Sequence, residues 1–333
     1  MAPTPKLDHK DHLLLFELDR NSRQAINDLA KKTKLSRDVV AYRMKRLEQK
    51  GIIQKYITLI DFSKFAHYII RLYLKLQNTT PEIEEEIAQF FVQQKNTLTA
   101  YKIDGEDQLA VGFLVKDLHS YQQTYEEFLK KYRSYVTGKK ISTFLDYAHY
   151  HHNYLVEKKL QDHTAISTGS FQSYACDQND LLLLNLIKEN SRITLLELAQ
   201  KMGMTATGVK YKLRNLEKNK VILAYKLLLD TSKLGYQYYK VDLELEDLNI
   251  VPALNEFIAQ HPNVIYRNIT VGGSDFEFDC EFRSQQEFYD FMDEMKALFP
   301  RKIRHYFYYK ALKIYKYSYF PETLLTDMEN CTK

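Results

Sequence analysis

The chain is written twice. Residues 8–64 align with 177–233 without a gap, and 21 of the 57 aligned positions are identical. Unrelated sequences of ordinary composition would share about 3 or 4. The matches include Asn21-Ser22-Arg23 with Asn190-Ser191-Arg192, Leu29-Ala30 with Leu198-Ala199, and Asp61, Ser63 and Lys64 with Asp230, Ser232 and Lys233. Whatever one copy folds into, the other must fold into as well. The 333 residues therefore hold two related units rather than one enlarged core.

Each copy opens on three short helical patterns. Asp8 precedes Leu13, Leu14, Phe16 and Leu18 as an N-cap; a second pattern offers Ile26, Leu29 and Ala30; a tight turn then leads to a third helix capped by Ser36. At 100° per residue the third helix buries Val40, Met44 and Leu47, and the second copy buries Val209, Leu213 and Leu216. Asp38, Tyr42, Lys45 and Gln49 lie opposite, as do Thr207, Tyr211, Arg214 and Lys218. A tight turn before an amphipathic helix with a cationic outer face is a helix-turn-helix pattern. A single helix of this kind reads first as a solvated face, because Lys and Arg are common there. Two copies in the same layout favour double-stranded DNA as the partner. The expected contacts are Ser36, Arg37, Tyr42, Arg43, Lys45 and Arg46, and Thr205, Thr207, Lys210, Tyr211, Lys212, Arg214 and Lys218. Arg43 and Lys212, nearer the buried edge, should reach phosphates rather than bases. The strand-forming runs after each third helix, GIIQKYITLID and KVILAYKLLLD, suit a small wing or a connecting strand.

The remainder of each copy follows a βαββαβ pattern, an antiparallel sheet backed by two helices, with Gly-Asp turns between the central strands. The fold class expected is therefore α+β: a tandem repeat of a winged helix-turn-helix domain and a ferredoxin-like domain. The expected boundaries are 1–62 and 63–156 for the first copy, a polar linker at 157–175, and 176–231 and 232–325 for the second.

Composition adds mainly exclusions. No apolar run is long enough to span a membrane, and the N-terminal residues lack a signal-peptide core, so a cytoplasmic location is expected. Cys176, Cys280 and Cys331 form no CxxC pair, and a net charge of +4 neither argues for nor against nucleic acid. No nucleotide-binding loop or hydrolase signature is present, so the chain is not expected to be an enzyme or to carry a cofactor. His149 and His151 would share one face of a last strand running 141–155, with His152 on the other. Two His at i and i+2 can share a metal, but nothing else supports a metal site, and a strand-end cluster is the stronger account. In the final strand, Phe307, Tyr309, Ala311, Lys313, Tyr315, Tyr317 and Tyr319 would lie on one side, as at a sheet–sheet or chain–chain interface.

The text LDHKDHLLLFELDRNSRQAINDLAKKTKLSRDVVAYRMKRLEQKGIIQKYITLIDFSKF resembles the Lrp/AsnC (feast/famine) family of transcription regulators. The resemblance covers nearly the whole chain, in two copies. It implies a winged helix-turn-helix that binds DNA, and sensing domains that pair through their sheets and bind an amino acid or similar effector near the pairing surface. The family's effector turn corresponds to Val271-Gly272-Gly273-Ser274-Asp275, and in the first copy to Ile103-Asp104-Gly105-Glu106-Asp107, with Asp104 standing in for the first Gly. Asp104, Gly105, Asp107, Gly272, Gly273 and Asp275 are the effector candidates this implies. Family members usually have Gly before the recognition helix; Gly203 fits and Lys34 departs. Ordinary members pair as homodimers, so a two-copy chain implies an intrachain pseudo-dimer, with further homo-oligomeric assembly left open. Siroheme decarboxylases resemble the same family and supply the rival reading, a tetrapyrrole enzyme using the His149–His152 cluster and Arg267; a non-specific architectural DNA binder is a third.

Overall fold

The computed structural model describes residues 6–318 apart from Phe171. The first copy runs α1 (His9–Arg20), α2 (Ile26–Thr33), α3 (Arg37–Gln49), β1 (Ile53–Ile60), β2 (Tyr68–Leu76), α4 (Pro81–Gln93), β3 (Thr97–Asp104), β4 (Leu109–Val115), α5 (Leu118–Tyr132) and β5 (Val136–His149). A two-residue strand, β6 (Ile166–Ser167), lies between the copies. The second copy runs α6 (Gln178–Ile187), α7 (Leu195–Met202), α8 (Ala206–Lys218), β7 (Ile222–Leu229), β8 (Gln237–Leu245), α9 (Val251–Gln260), β9 (Val264–Val271), β10 (Phe276–Phe282), α10 (Gln285–Leu298) and β11 (Ile303–Tyr317).

The helix ends follow from local chemistry. Asp8 and Asp177 cap α1 and α6 in matching capping boxes, each accepting from the backbone N–H three residues on at 2.8 Å. The turns before α3 and α8 need a left-handed residue, supplied by Lys34 (φ 54°) and Gly203 (φ 62°). Glycine takes that conformation freely, whereas Lys34 carries strain of about 1 kcal/mol.

β1 and β7 do not form separate wings. They pair with each other, antiparallel, with Ile57 opposite Lys226, Tyr56 opposite Leu227 and Thr58 opposite Tyr225. Ile57 and Lys226 are 169 positions apart, the offset of the repeat itself, so a pseudo-twofold axis passes through that pair. The same axis passes between Ser22 and Ser191, whose hydroxyls are 2.7 Å apart. Around them Arg192 donates to the Ser22 carbonyl at 2.6 Å, and Arg23 donates to the Ser191 carbonyl. The helical cores are also crossed. The α1–α3 core takes in Leu227, Leu234 and Tyr236 of the second copy, and the α6–α8 core takes in Ile60, Phe62, Leu98 and Leu114 of the first.

The two βαββαβ units merge. In strand order β2-β4-β3-β11-β8-β10-β9-β5, with β5 returning to β2, eight antiparallel strands close a ring. The long last strands make the closure. β5 pairs β2 through Thr143 and β9 from Thr143 onward; β11 pairs β8 through Lys310 and β3 from Lys310 onward. Helices cover the outside, with Phe91, Phe113 and Phe128 packed under α4 and α5, and Phe278, Phe288 and Phe291 under α9 and α10. The segment between the copies is docked: β6 pairs the end of β5, and the Gly169 N–H and Ser170 hydroxyl donate to Asp61 at 3.2 and 2.9 Å.

Two strand expectations are corrected. β5 stops at His149, not Leu155, because the His152 N–H donates to the buried Asp19 carboxylate at 3.0 Å and Asn153–Leu155 form a 3-10 turn. β11 does not keep one face along its length. Register shifts between Ala311 and Lys313, and between Ile314 and Lys316, insert extra residues, and a bulge turns the subsequent side chains to the other face. Tyr309, Ala311 and Tyr317 face the ring interior, while Tyr315 packs with the helices outside and Lys313 pairs with Glu85. Tyr319 and Cys331 lie outside the described residues.

Candidate nucleic-acid interface

α3 and α8 bury the expected stripes: Val40, Met44 and Leu47, and Val209, Leu213 and Leu216. Their outer faces are open. Tyr42 and Tyr211 are 66% and 72% exposed, unusual for so large a ring and matched between copies. Ser36 and Thr205 cap the two helices, accepting from Val39 N–H at 3.3 Å and Gly208 N–H at 3.1 Å. Arg37, Lys45, Thr207, Lys210, Arg214 and Lys218 are exposed.

Three of the expected cations are instead held by their own domain. Arg43 donates to Asp8 and Asp11, both at 2.7 Å, and hydrogen bonding to Asp8 raises its pKa further. Lys212 repeats this with Asp177 at 2.6 Å and Asp180 at 2.9 Å; burial works against its charge, and the two carboxylates outweigh it. Arg46, half-buried, donates to Asp11 at 2.5 Å. These pairs tie the third helix of each unit to the first and neutralise charge at that edge. Arg37 and Lys45 in the first copy, and Lys210, Arg214 and Lys218 in the second, make no ion pair among the described residues. The β1–β7 ribbon and the Ser22–Ser191 contact hold both faces in one symmetric frame.

A family model described as winged helix-turn-helix DNA-binding matches residues 7–54 and 177–222, one match per copy. An uncharacterised HTH-type transcriptional regulator of Pyrococcus furiosus is 30% identical over 131 residues, covering 39% of this chain and 81% of the relative. The leucine-responsive regulatory protein of Rhizobium meliloti is 31% identical over 121 residues, covering 35% of this chain and 78% of the relative. The chain belongs to the Lrp/AsnC family of helix-turn-helix transcription regulators. These Lrp/AsnC relatives match a little over a third of the chain, as expected if each corresponds to one copy. Over the whole length, the crystal structure of the siroheme decarboxylase NirDL superposes with a TM-score of 0.64, covering 97% of this chain and 98% of that one. At 11% identity that likeness shows the shared two-copy fold and nothing more.

The turns expected to hold an Lrp/AsnC effector are partly re-registered. In the second copy Gly272 is left-handed (φ 78°), a Cβ on Gly273 would lie 2.1 Å from Glu277, and Asp275 accepts from the Leu245 N–H at 2.8 Å. In the first copy it is Gln108, not Asp107, that accepts from the equivalent Leu76 N–H, also at 2.8 Å. The alignment therefore moves by one residue: Gly105, at φ 156°, matches Gly272, and Asp104 does not replace a glycine. Asp107 instead turns inward and is buried, 3.1 Å from the Tyr309 hydroxyl and 3.2 Å from Lys140.

The histidines do not line up as strand-face ligands. His151 and His152 approach Asp19 at 3.5 and 3.2 Å, Lys226 approaches it at 3.1 Å, and Asp19 is fully buried. Burial opposes its charge, yet Lys226 and the histidines hold its carboxyl well below the usual range. Burial pushes His149 down to about 3, leaving that ring neutral. For His152 burial works downward, and the Asp19 charge overcomes it and raises the pKa. Among the described residues, no group of three His, Cys, Asp or Glu side chains is placed to hold a metal, and no helix is long and apolar enough to cross a membrane.

What sequence reasoning passed over is the ring interior. Arg71 donates to Glu277 across the two copies at 2.5 Å, and Lys240 bonds Glu277 at 2.9 Å and Asp242 beside it. The signal was present in FEFDCEF, residues 276–282, where Phe alternates with acids. The Phe face meets the helices, and Glu277 and Asp279 meet the interior.

Proposed function

We propose that the chain is a sequence-specific DNA-binding regulator that acts as a covalent pseudo-dimer in the cytoplasm, without catalysis. The observation that carries this reading is the pair of exposed cationic helix faces, α3 and α8, joined through one β1–β7 ribbon by reciprocal contacts. Two recognition helices in one molecule suit two half-sites a helical turn apart, and the covalent link makes the second contact intramolecular. Arg37, Lys45, Lys210, Arg214 and Lys218 carry the main phosphate and base contacts, with Tyr42 and Tyr211 beside them. Arg43, Arg46 and Lys212 brace the helices. A small effector of the amino-acid class then biases the spacing of the two units through the sheets; one relative is named a leucine-responsive regulatory protein.

Fluorescence anisotropy tests this, using DNA from the gene's own upstream region against scrambled DNA across a salt series. Preference for the upstream region with a steep salt slope supports the reading. Equal, salt-sensitive affinity points to an architectural role. The siroheme-decarboxylase-like reading is favoured by one observation, the full-length fold likeness. A tetrapyrrole absorption band that co-purifies with the chain, together with no DNA binding at low salt, would replace the regulator reading with that one.

A further inference from the structure

The interior of the strand ring holds a cavity of about 130 Å³. It lies on the pseudo-twofold axis, yet its walls break the symmetry. Strand register makes the comparison strict. Arg71 pairs opposite Gly112 in the first copy, and Lys240 pairs opposite Asp279 in the second. Tyr73 and Tyr101 flank Ala110, whereas Asp242 and Asn268 flank Glu277. At these matched positions the first copy has small residues, aromatic rings and one cation, and the second has a cation, an amide and three acids, of which Asp279 lines the cavity; Tyr238 and Tyr309 add rings from the second copy.

The charges do not cancel. Arg71 is spent on Glu277, and Lys240 on Asp242 and Glu277. Asp279 is left as the unmatched charge of this set. Its Oδ2 accepts from the Asn268 amide at 3.2 Å, but its Oδ1 has no partner, nor does the Asn268 carbonyl oxygen. Both residues are at most 4% exposed and both line the cavity. Burial pushes the Asp279 carboxyl up to about 6, against the pull of Lys240 and Arg71. Two buried acceptors left without a donor are costly, and a native site normally satisfies them. The walls beside them are ring faces: Tyr101 stacks near Tyr238 at 6.1 Å, and Tyr73 on Tyr309 at 4.8 Å. Aromatic faces attract cations, and acceptors attract N–H donors. The Arg71 Nε also lacks a partner, so a hydroxyl on the guest has a donor to meet.

We propose that this cavity binds a small organic cation, a protonated amine on a flat aromatic body, with the ammonium on Asp279 and Asn268 and the ring among the tyrosines. Its role as the effector rests on the regulator reading above, but its binding does not. Neither copy paired with itself would build this site, because two first copies lack Asp279 and Asn268, and two second copies lack Tyr73 and Tyr101. The fusion is what makes the asymmetric chamber.

The test is isothermal titration of the full chain, without DNA, using tyramine as probe. The neutral 4-ethylphenol and the anionic 3-(4-hydroxyphenyl)propanoate have the same ring and nearly the same size. Saturable 1:1 binding of tyramine, at least tenfold tighter than either analogue, is the expected result. Asp279→Asn removes a buried charge at constant shape and should weaken tyramine at least tenfold; Tyr238→Leu, on the neighbouring strand β8, should weaken it independently if the first variant folds poorly. No saturable heat at millimolar tyramine, tighter binding of the anion, or unchanged binding in both folded variants would each overturn the proposal. A chain that binds tyramine but no DNA sinks the regulator reading alone, and one that binds DNA but no tyramine sinks the cavity assignment alone.

Discussion

At the β1–β7 ribbon the two copies meet through the same residues: serine on serine, each arginine on the other's carbonyl. In the strand ring they meet through different ones, Arg71 against Glu277 and Tyr309 against Asp107. Both regions straddle the same axis. The difference teaches what the duplication kept and what it released. Geometry that sets the separation of two recognition helices must stay symmetric to suit DNA. A chamber enclosed by both copies has no such constraint once the two are one chain, and charge complementarity between unlike halves can develop there. The junction beside α1 shows the same release, since Lys226 and Asp19 stand where the other copy has Ile57 and Lys188.

The largest effect should come from breaking the cross-copy charge pair. Glu277→Ala leaves Arg71 and Lys240 short of a counter-charge, and breaking a buried pair costs about 3–5 kcal/mol; urea unfolding should read that loss. Ala substitutions at Ser22 or Ser191, in the symmetric contact, should each cost only about 1 kcal/mol.

Asp19→Asn comes next, at roughly 1–3 kcal/mol for a buried acceptor mismatched to its partners, and its pH dependence is diagnostic. The depressed Asp19 pKa gives stability that is present above about 3.9, its unfolded value, and is lost as pH falls through the folded one. The raised His152 pKa gives stability that is present below about 6.5 and is lost as pH rises through its folded value. The gap between wild type and Asp19→Asn should therefore be widest between these limits and narrow on either side. A gap independent of pH would separate Asp19 from His152.

Smaller still, replacing Lys210 and Arg214 with Ala should flatten the logarithmic salt slope for DNA by about 2, and replacing Lys45 by about 1, while Arg46→Ala leaves it nearly unchanged because that side chain serves Asp11. An equal drop for Arg46 would return it to the interface. The smallest change is Lys34→Gly, which should stabilise the first helical unit by about 1 kcal/mol where Gly203→Ala destabilises the second by a similar amount; paired thermal melts compare them.

Much of the helical part was legible in the sequence, because its determinants are local. Asp8 and Ser36 cap the helices that begin beside them, and Val40, Met44 and Leu47 mark a buried stripe by spacing alone. The order of strands and helices after residue 62 was legible for the same reason. Pairing between copies was not, since GIIQKYITLID reads equally well as a wing or as half of a shared ribbon. Acids alternating with Phe ordinarily mark a solvated face, so the inward turn of Glu277 and Asp279 depends on Arg71, some 200 residues earlier in the chain. The outward cations showed the same limit: spacing put Arg43 and Lys212 near the edge of the exposed face, and only the fold brings Asp11 and Asp180 up to them.

The central claim is that the two unlike halves of one chain present two recognition helices to two unlike half-sites. Selection of bound duplexes from a random pool tests it most directly. The account predicts enriched sites with two half-sites about one helical turn apart and different in sequence, because Asp38 faces out of one helix and Thr207 out of the other. A perfect palindrome preferred over every asymmetric site, or no enrichment at all, would contradict it.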